Sequence, residues 1–133
     1  MTRVRTIQIL IASVFFVLGG WCLIAPGQII ALSFRPEYRL DHPTVALAIG
    51  CFGAQALLAG VFAAFSRFTR TTFLAFGIAV LPFFFFNYYF YFVVPMFTRF
   101  IFLDAMGNVI FLVLCVYGYL LSAPRRAAPS PAS

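Results

Sequence analysis

Four long apolar runs alternate with short polar breaks along the chain: about Ile7–Ala25, Thr44–Phe65, Thr71–Phe92 and Phe100–Leu121. At about 1.5 Å per residue, each run is long enough as a helix to cross a hydrocarbon core about 30 Å thick. Lipid offers no partners to open backbone groups, so helices are the form required. The breaks fit helix ends. "PGQ" stops the first run, "DHPT" opens the second, and "APRR" stops the fourth. Pro43 suits a first helical turn, with Asp41 or His42 as its cap. Within the loop Gln28–Pro43, "GQIIALSF" predicts a short interfacial helix. The expected fold is all-α, an integral membrane four-helix bundle, with residues 1–122 as one four-span domain. The Pro/Ser/Ala-rich residues 123–133 are expected to form a disordered tail.

Composition strengthens this reading. The chain of 133 residues is 64% hydrophobic and 9% charged, whereas soluble domains carry roughly 25% charged residues. A chain this short cannot hide so much apolar surface in a water-soluble core. The net charge of +6 comes from nine arginines spread over the breaks, not from a surface stripe, so a nucleic-acid partner is excluded. Arg3, Arg5, Arg67, Arg70, Arg125 and Arg126 fall on one side of a four-span topology; Arg35, Arg39 and Arg99 fall on the other. The positive-inside rule then places both termini in the cytoplasm of a multi-pass plasma-membrane protein. The start resembles a signal peptide, but its run is long enough to span, and Trp21, Leu23 and Ile24 spoil a cleavage site. A retained first helix is expected. Cys22, Cys51 and Cys115 lie in apolar runs without a CxxC and read as small core residues. His42 is the sole histidine, so no metal site is expected, and no cofactor is implied.

In lipid, close packing and polar contacts hold helices together. The second run carries small residues at steps of three and four: Ala46, Gly50, Gly53, Ala56, Gly60 and Ala64, with Gln55 beside them. The fourth run carries Asp104, Asn108, Phe111, Cys115, Gly118 and Ser122 at the same spacing, with Phe102, Ile110, Val113 and Val116 opposite. Both stripes are expected to face the bundle interior, with Gly50, Gly53, Ala56, Gly60 and Gly118 as packing positions. Pro82 predicts a kink in the third run. Every residue from Phe83 to Phe92 is aromatic except Asn87. An interfacial belt explains such a block, and an aromatic ligand wall is the alternative.

Asn87 is what a belt leaves over. The loop to the fourth run is short, so Asn87, Asp104 and Asn108, joined by Tyr88 or Tyr91, form one intramembrane polar site. An aspartate at the centre of a span costs about 2.5–3.5 kcal/mol, so Asp104 should face protein. Three readings are open. The cluster is a structural clamp, a site for an amphipathic ligand such as a quinone, sterol-like molecule or lipid, or a catalytic acid or base. No nucleophile, metal or second acid accompanies Asp104, which leans away from an enzyme.

The four short spans, the Leu23–Gly27 "LIAPG" break and the glycine-rich second span resemble the DoxX-like group of small membrane proteins. The resemblance covers about Ile7 to Leu121 and transfers no functional residue. It implies a fold of this kind and, for some members, an association with quinone-using membrane oxidoreductases. The expected function is a non-enzymatic accessory, assembly or interaction subunit, with the bilayer and a larger membrane protein or a second copy as partners. The alternative is a binder of a hydrophobic or amphipathic ligand, or a small oxidoreductase component.

Overall fold

The computed structural model describes residues 2–122. The expected disordered tail, 123–133, lies outside the described residues. Five α-helices follow in order: α1 (Arg3–Ile24), α2 (Pro26–Ser33), α3 (Pro43–Phe65), α4 (Arg70–Tyr88) and α5 (Ile101–Leu121). A 3-10 turn, Pro36–Tyr38, follows α2, and a π-helical segment, Tyr89–Val93, extends α4. Four of the helices, α1, α3, extended α4 and α5, are long and apolar enough to cross a membrane.

Local chemistry sets the ends. The Thr2 hydroxyl accepts from the Arg5 N–H at 3.4 Å, so α1 starts in the polar head, ahead of its apolar run. His42 Nδ1 accepts from the Thr44 N–H at 3.2 Å and opens α3, one of the two caps anticipated. Thr69 and Thr72 cap α4 reciprocally, each hydroxyl accepting the other's N–H at 3.2 Å. Helix α4 runs on through Pro82. Its winding changes later, at Tyr89, whose carbonyl accepts from the Val94 N–H at 2.9 Å in an i→i+5 bond.

The helices are arranged α3–α1–α5–α4, with seams between α1 and α3, α1 and α5, and α4 and α5; α2 lies on α1 and α3. No comparable seam joins α3 to α4. The all-α fold with four long apolar helices is as expected, and the missing seam is a feature that the sequence did not predict. The small stripe of α3 explains it, because that stripe is spent on α1. A Cβ on Gly53 would stand 2.6 Å from the Leu23 nitrogen and 2.7 Å from the Gly19 oxygen. One on Gly19 would stand 2.8 Å from the Gly53 oxygen. The two backbones touch, and only glycine fits either side. Gly60 meets Phe15 and Ala12 of α1 in the same way, and Ala56 and Ala63 are buried beside it.

Two polar ties brace the ends. At the end where α1 begins and α3 finishes, Gln8 is only 3% exposed and its Nε2 donates to the carbonyls of Ala63 and Ser66, both at 2.6 Å. Those carbonyls belong to the last turn of α3 and its cap, which lack partners within the helix. At the same end Arg70 lies 4.1 Å from the centre of the Tyr119 ring. At the far end Phe34 and Phe97 form an antiparallel bridge. There the Arg35 N–H donates to Met96 O at 2.9 Å, the Thr98 N–H to Ser33 O at 2.8 Å, and Arg35 Nε to Phe97 O at 2.9 Å. This roof joins the two hairpins.

The core is a cluster of Ile7, Ile11, Ala12, Ala63, Phe68, Phe73, Val80, Phe111 and Cys115 toward the Gln8 end. Gly118 belongs to it, since any Cβ there would collide with the Phe73 ring. Outside the core, large apolar side chains stand open: Val17 is 71% exposed, Ile24 84% and Phe65 83%. Phe102, Ile110, Val113 and Val116 of α5 are exposed too, on the face the sequence assigns to lipid.

Candidate functional site

The open side between α3 and α4 leads into a cavity of about 610 Å³, within the roughly 300–1,000 Å³ of ligand pockets. Ile29, Ser33, Phe34 and Phe97 of the roof close its top. Phe76 and Phe111 close its bottom, their ring centres 6.2 Å apart. Val14, Phe15, Leu18 and Cys22 of α1 form the back wall. Phe52 and Gln55 of α3 face Phe83 and Phe86 of α4 across the mouth, and all four are exposed. Bulky rings therefore stand where a fourth seam would need small residues, and the bundle stays open there.

Polar chemistry is gathered under the roof. Asp104 sits in the first turn of α5, and its Oδ2 accepts from Asn87 Nδ2 of α4 at 2.8 Å. The same oxygen accepts from Asn108 Nδ2, one turn on, at 2.9 Å. All three residues line the cavity. Oδ1 of Asp104 takes no hydrogen bond from the described residues, and no fully buried side-chain oxygen among them lacks a partner, so that oxygen is accessible. Gln55 projects from the middle of α3 and its amide bonds to none of the described residues. Among them, no three His, Cys, Asp or Glu side chains converge as metal ligands.

Of the site residues read from the sequence, Asn87, Asp104 and Asn108 are brought together and Tyr88 and Tyr91 are not. Tyr88 is exposed, with its ring against Phe92 at 5.4 Å. Tyr91 packs edge-on to Phe102 at 4.9 Å, under the Arg35 guanidinium. Neither lines the cavity. Tyr88 follows Asn87 directly on α4 and so points to another side of the helix, and for Tyr91 the π-helical turn is the reason. On a regular α-helix Tyr91 would lie over Asn87, four residues before it, but the wider winding rotates it away. Among the packing positions, Gly53, Ala56, Gly60 and Gly118 are in tight contact, whereas a Cβ on Gly50 would meet nothing. Cys22 and Cys115 are buried, but Cys51 is exposed on α3.

Comparison with protein-family models, curated proteins and solved structures finds no match. What the site can do is therefore argued from its own geometry.

Sequence reasoning passed over Gln8 and the place of Gln55. The signal for Gln8 was present. It is an amide at the second position of the first apolar run, where the last carbonyls of a neighbouring helix need a donor. Gln55 gave a weaker signal, as a polar residue beside a small stripe instead of on it.

Proposed function

We propose that the protein binds an amphipathic molecule drawn sideways from the bilayer, its tail in the apolar cavity and its polar head at Asn87, Asp104 and Asn108. One observation carries this reading. Among the described residues, the open side between α3 and α4 leads past exposed Phe52, Gln55, Phe83 and Phe86 to a carboxyl group with an unbonded oxygen. A purely structural clamp needs no space in front of it. Both termini are cytoplasmic in this reading, because the order of the spans along the sequence assigns six arginines to that side of the membrane and three to the other. The roof, with α2, then lies at the outer face of the plasma membrane.

Native mass spectrometry of the protein released from mild detergent tests the reading. Wild-type protein should carry one small-molecule adduct per chain, and Ala59→Trp, which fills the cavity from α3, should carry none. Equal adducts on the two proteins would contradict it.

A second reading, the accessory subunit suggested by the DoxX-like resemblance, finds support in Gly50. Its bare backbone is uncovered on α3, as suits the approach of another helix. A larger membrane protein that co-purifies in fixed ratio, and is lost on Gly50→Leu, is the expected outcome. Its absence would remove this reading and leave the first.

A further inference from the structure

The head of the cavity has a chemical bias that narrows the ligand. Asn87 and Asn108 each spend one amide N–H on Asp104 Oδ2, which leaves one N–H and the carbonyl oxygen on each amide, and Oδ1 on Asp104, for a ligand. Arg99, five residues before Asp104, is exposed and makes no hydrogen bond to it, and Arg35 and Arg39 are engaged elsewhere. Arg35 Nε donates to Phe97 O, and Arg39 donates to Phe34 O at 2.8 Å and Ala31 O at 2.6 Å. None of the described arginines is hydrogen-bonded to Asp104. A carboxylate at the edge of an apolar cavity is stabilised by an opposite charge. Aromatic rings supply the remaining wall at this end: Trp21, Phe83, Phe86, Phe90 and Phe100. Ring faces attract cations, by about 0.5–2 kcal/mol each according to desolvation.

We propose that the cavity selects a hydrophobic ammonium, a long-chain amine whose head donates to Asp104 Oδ1 and rests against the rings of Phe86 and Phe90. Selection of this head rests on the membrane-ligand reading above. A neutral alcohol satisfies one acceptor but gains nothing from the ring faces. A quinone can accept from the remaining amide N–H groups but brings no positive charge to the carboxylate or the ring faces, so it ranks below the amine.

The test is isothermal titration of the full chain in lipid discs, with empty discs as the blank. Dodecylammonium, dodecanol and a decyl-substituted benzoquinone are the probes. The amine should bind at least tenfold more tightly than the alcohol or the quinone. Asp104→Asn should abolish that margin while leaving alcohol binding within about threefold. Phe86→Leu, at an exposed position that folding tolerates, should weaken the amine severalfold and the alcohol little. Equal affinities for the three probes, a quinone that binds most tightly, or a margin that survives Asp104→Asn would overturn the selectivity and leave the cavity reading standing. If no probe binds, the cavity reading itself fails and the selectivity falls with it.

Discussion

The two faces of α3 behave in opposite ways. Toward α1, Gly53, Ala56 and Gly60 let two backbones meet, and the seam closes to van der Waals contact. Toward α4, Phe52, Gln55 and Ala59 confront Phe83 and Phe86, and the seam stays open around a cavity. Apolar burial cannot explain the difference, because both faces are equally at home in lipid. Side-chain size and unspent polar groups do explain it. The closed seam is the scaffold and the open one holds the chemistry.

Substitutions in matched positions sharpen or break this contrast. The largest effect is expected at Gly53→Val, which drives branched carbons into the Leu23 and Gly19 backbone. Overpacking of this kind costs about 1–3 kcal/mol or more, so the melting temperature in detergent should fall sharply. An unchanged melting curve would show that the backbones do not touch. Gln8→Leu comes next. It leaves the Ala63 and Ser66 carbonyls without their donor, at about 1–3 kcal/mol. Thermal unfolding should show this loss without any change in ligand affinity.

The pair Ala56→Leu and Ala59→Leu is the intermediate case. The two alanines lie one turn apart on α3 and both line the cavity, but Ala56 is also buried against Gly19 of α1, whereas Ala59 is half-buried. The first should lower stability by about 1–3 kcal/mol; the second should leave stability intact and weaken ligand binding. The same loss in both would mean that the α3–α4 side is closed. The smallest effect belongs to Gly50→Ala, a gain of at most about 0.5–1 kcal/mol in thermal unfolding, since the added methyl meets nothing in the chain and alanine favours the helix.

Much of the scaffold was legible in the sequence, because helical period reports which side of a helix turns inward. The α5 stripe reads directly. Phe111, Cys115 and Gly118 are buried, and Asp104 and Asn108 meet at i and i+4. The contact from Asn87 to Asp104 follows from a short connection between adjoining helix ends. Period does not report which neighbour an inward face meets. The stripe of α3 was visible, but its allegiance to α1, and hence the gap beside α4, was not. Tyr91 was misplaced for another reason. Ten residues that are nearly all aromatic contain no cue that the winding widens at Tyr89. Gln8 stands out as an amide in an apolar run, but its partners are main-chain carbonyls fifty-five and fifty-eight positions away, and their identity is not encoded locally.

An experimental map of the protein in a lipid disc, at side-chain resolution, tests the open seam most directly. Elongated non-protein density should enter between Phe52 and Phe83 and end against Asp104. Helix α4 packed flush on α3, with the side chains of Gln55 and Phe86 in contact and no space before Asp104, would contradict it.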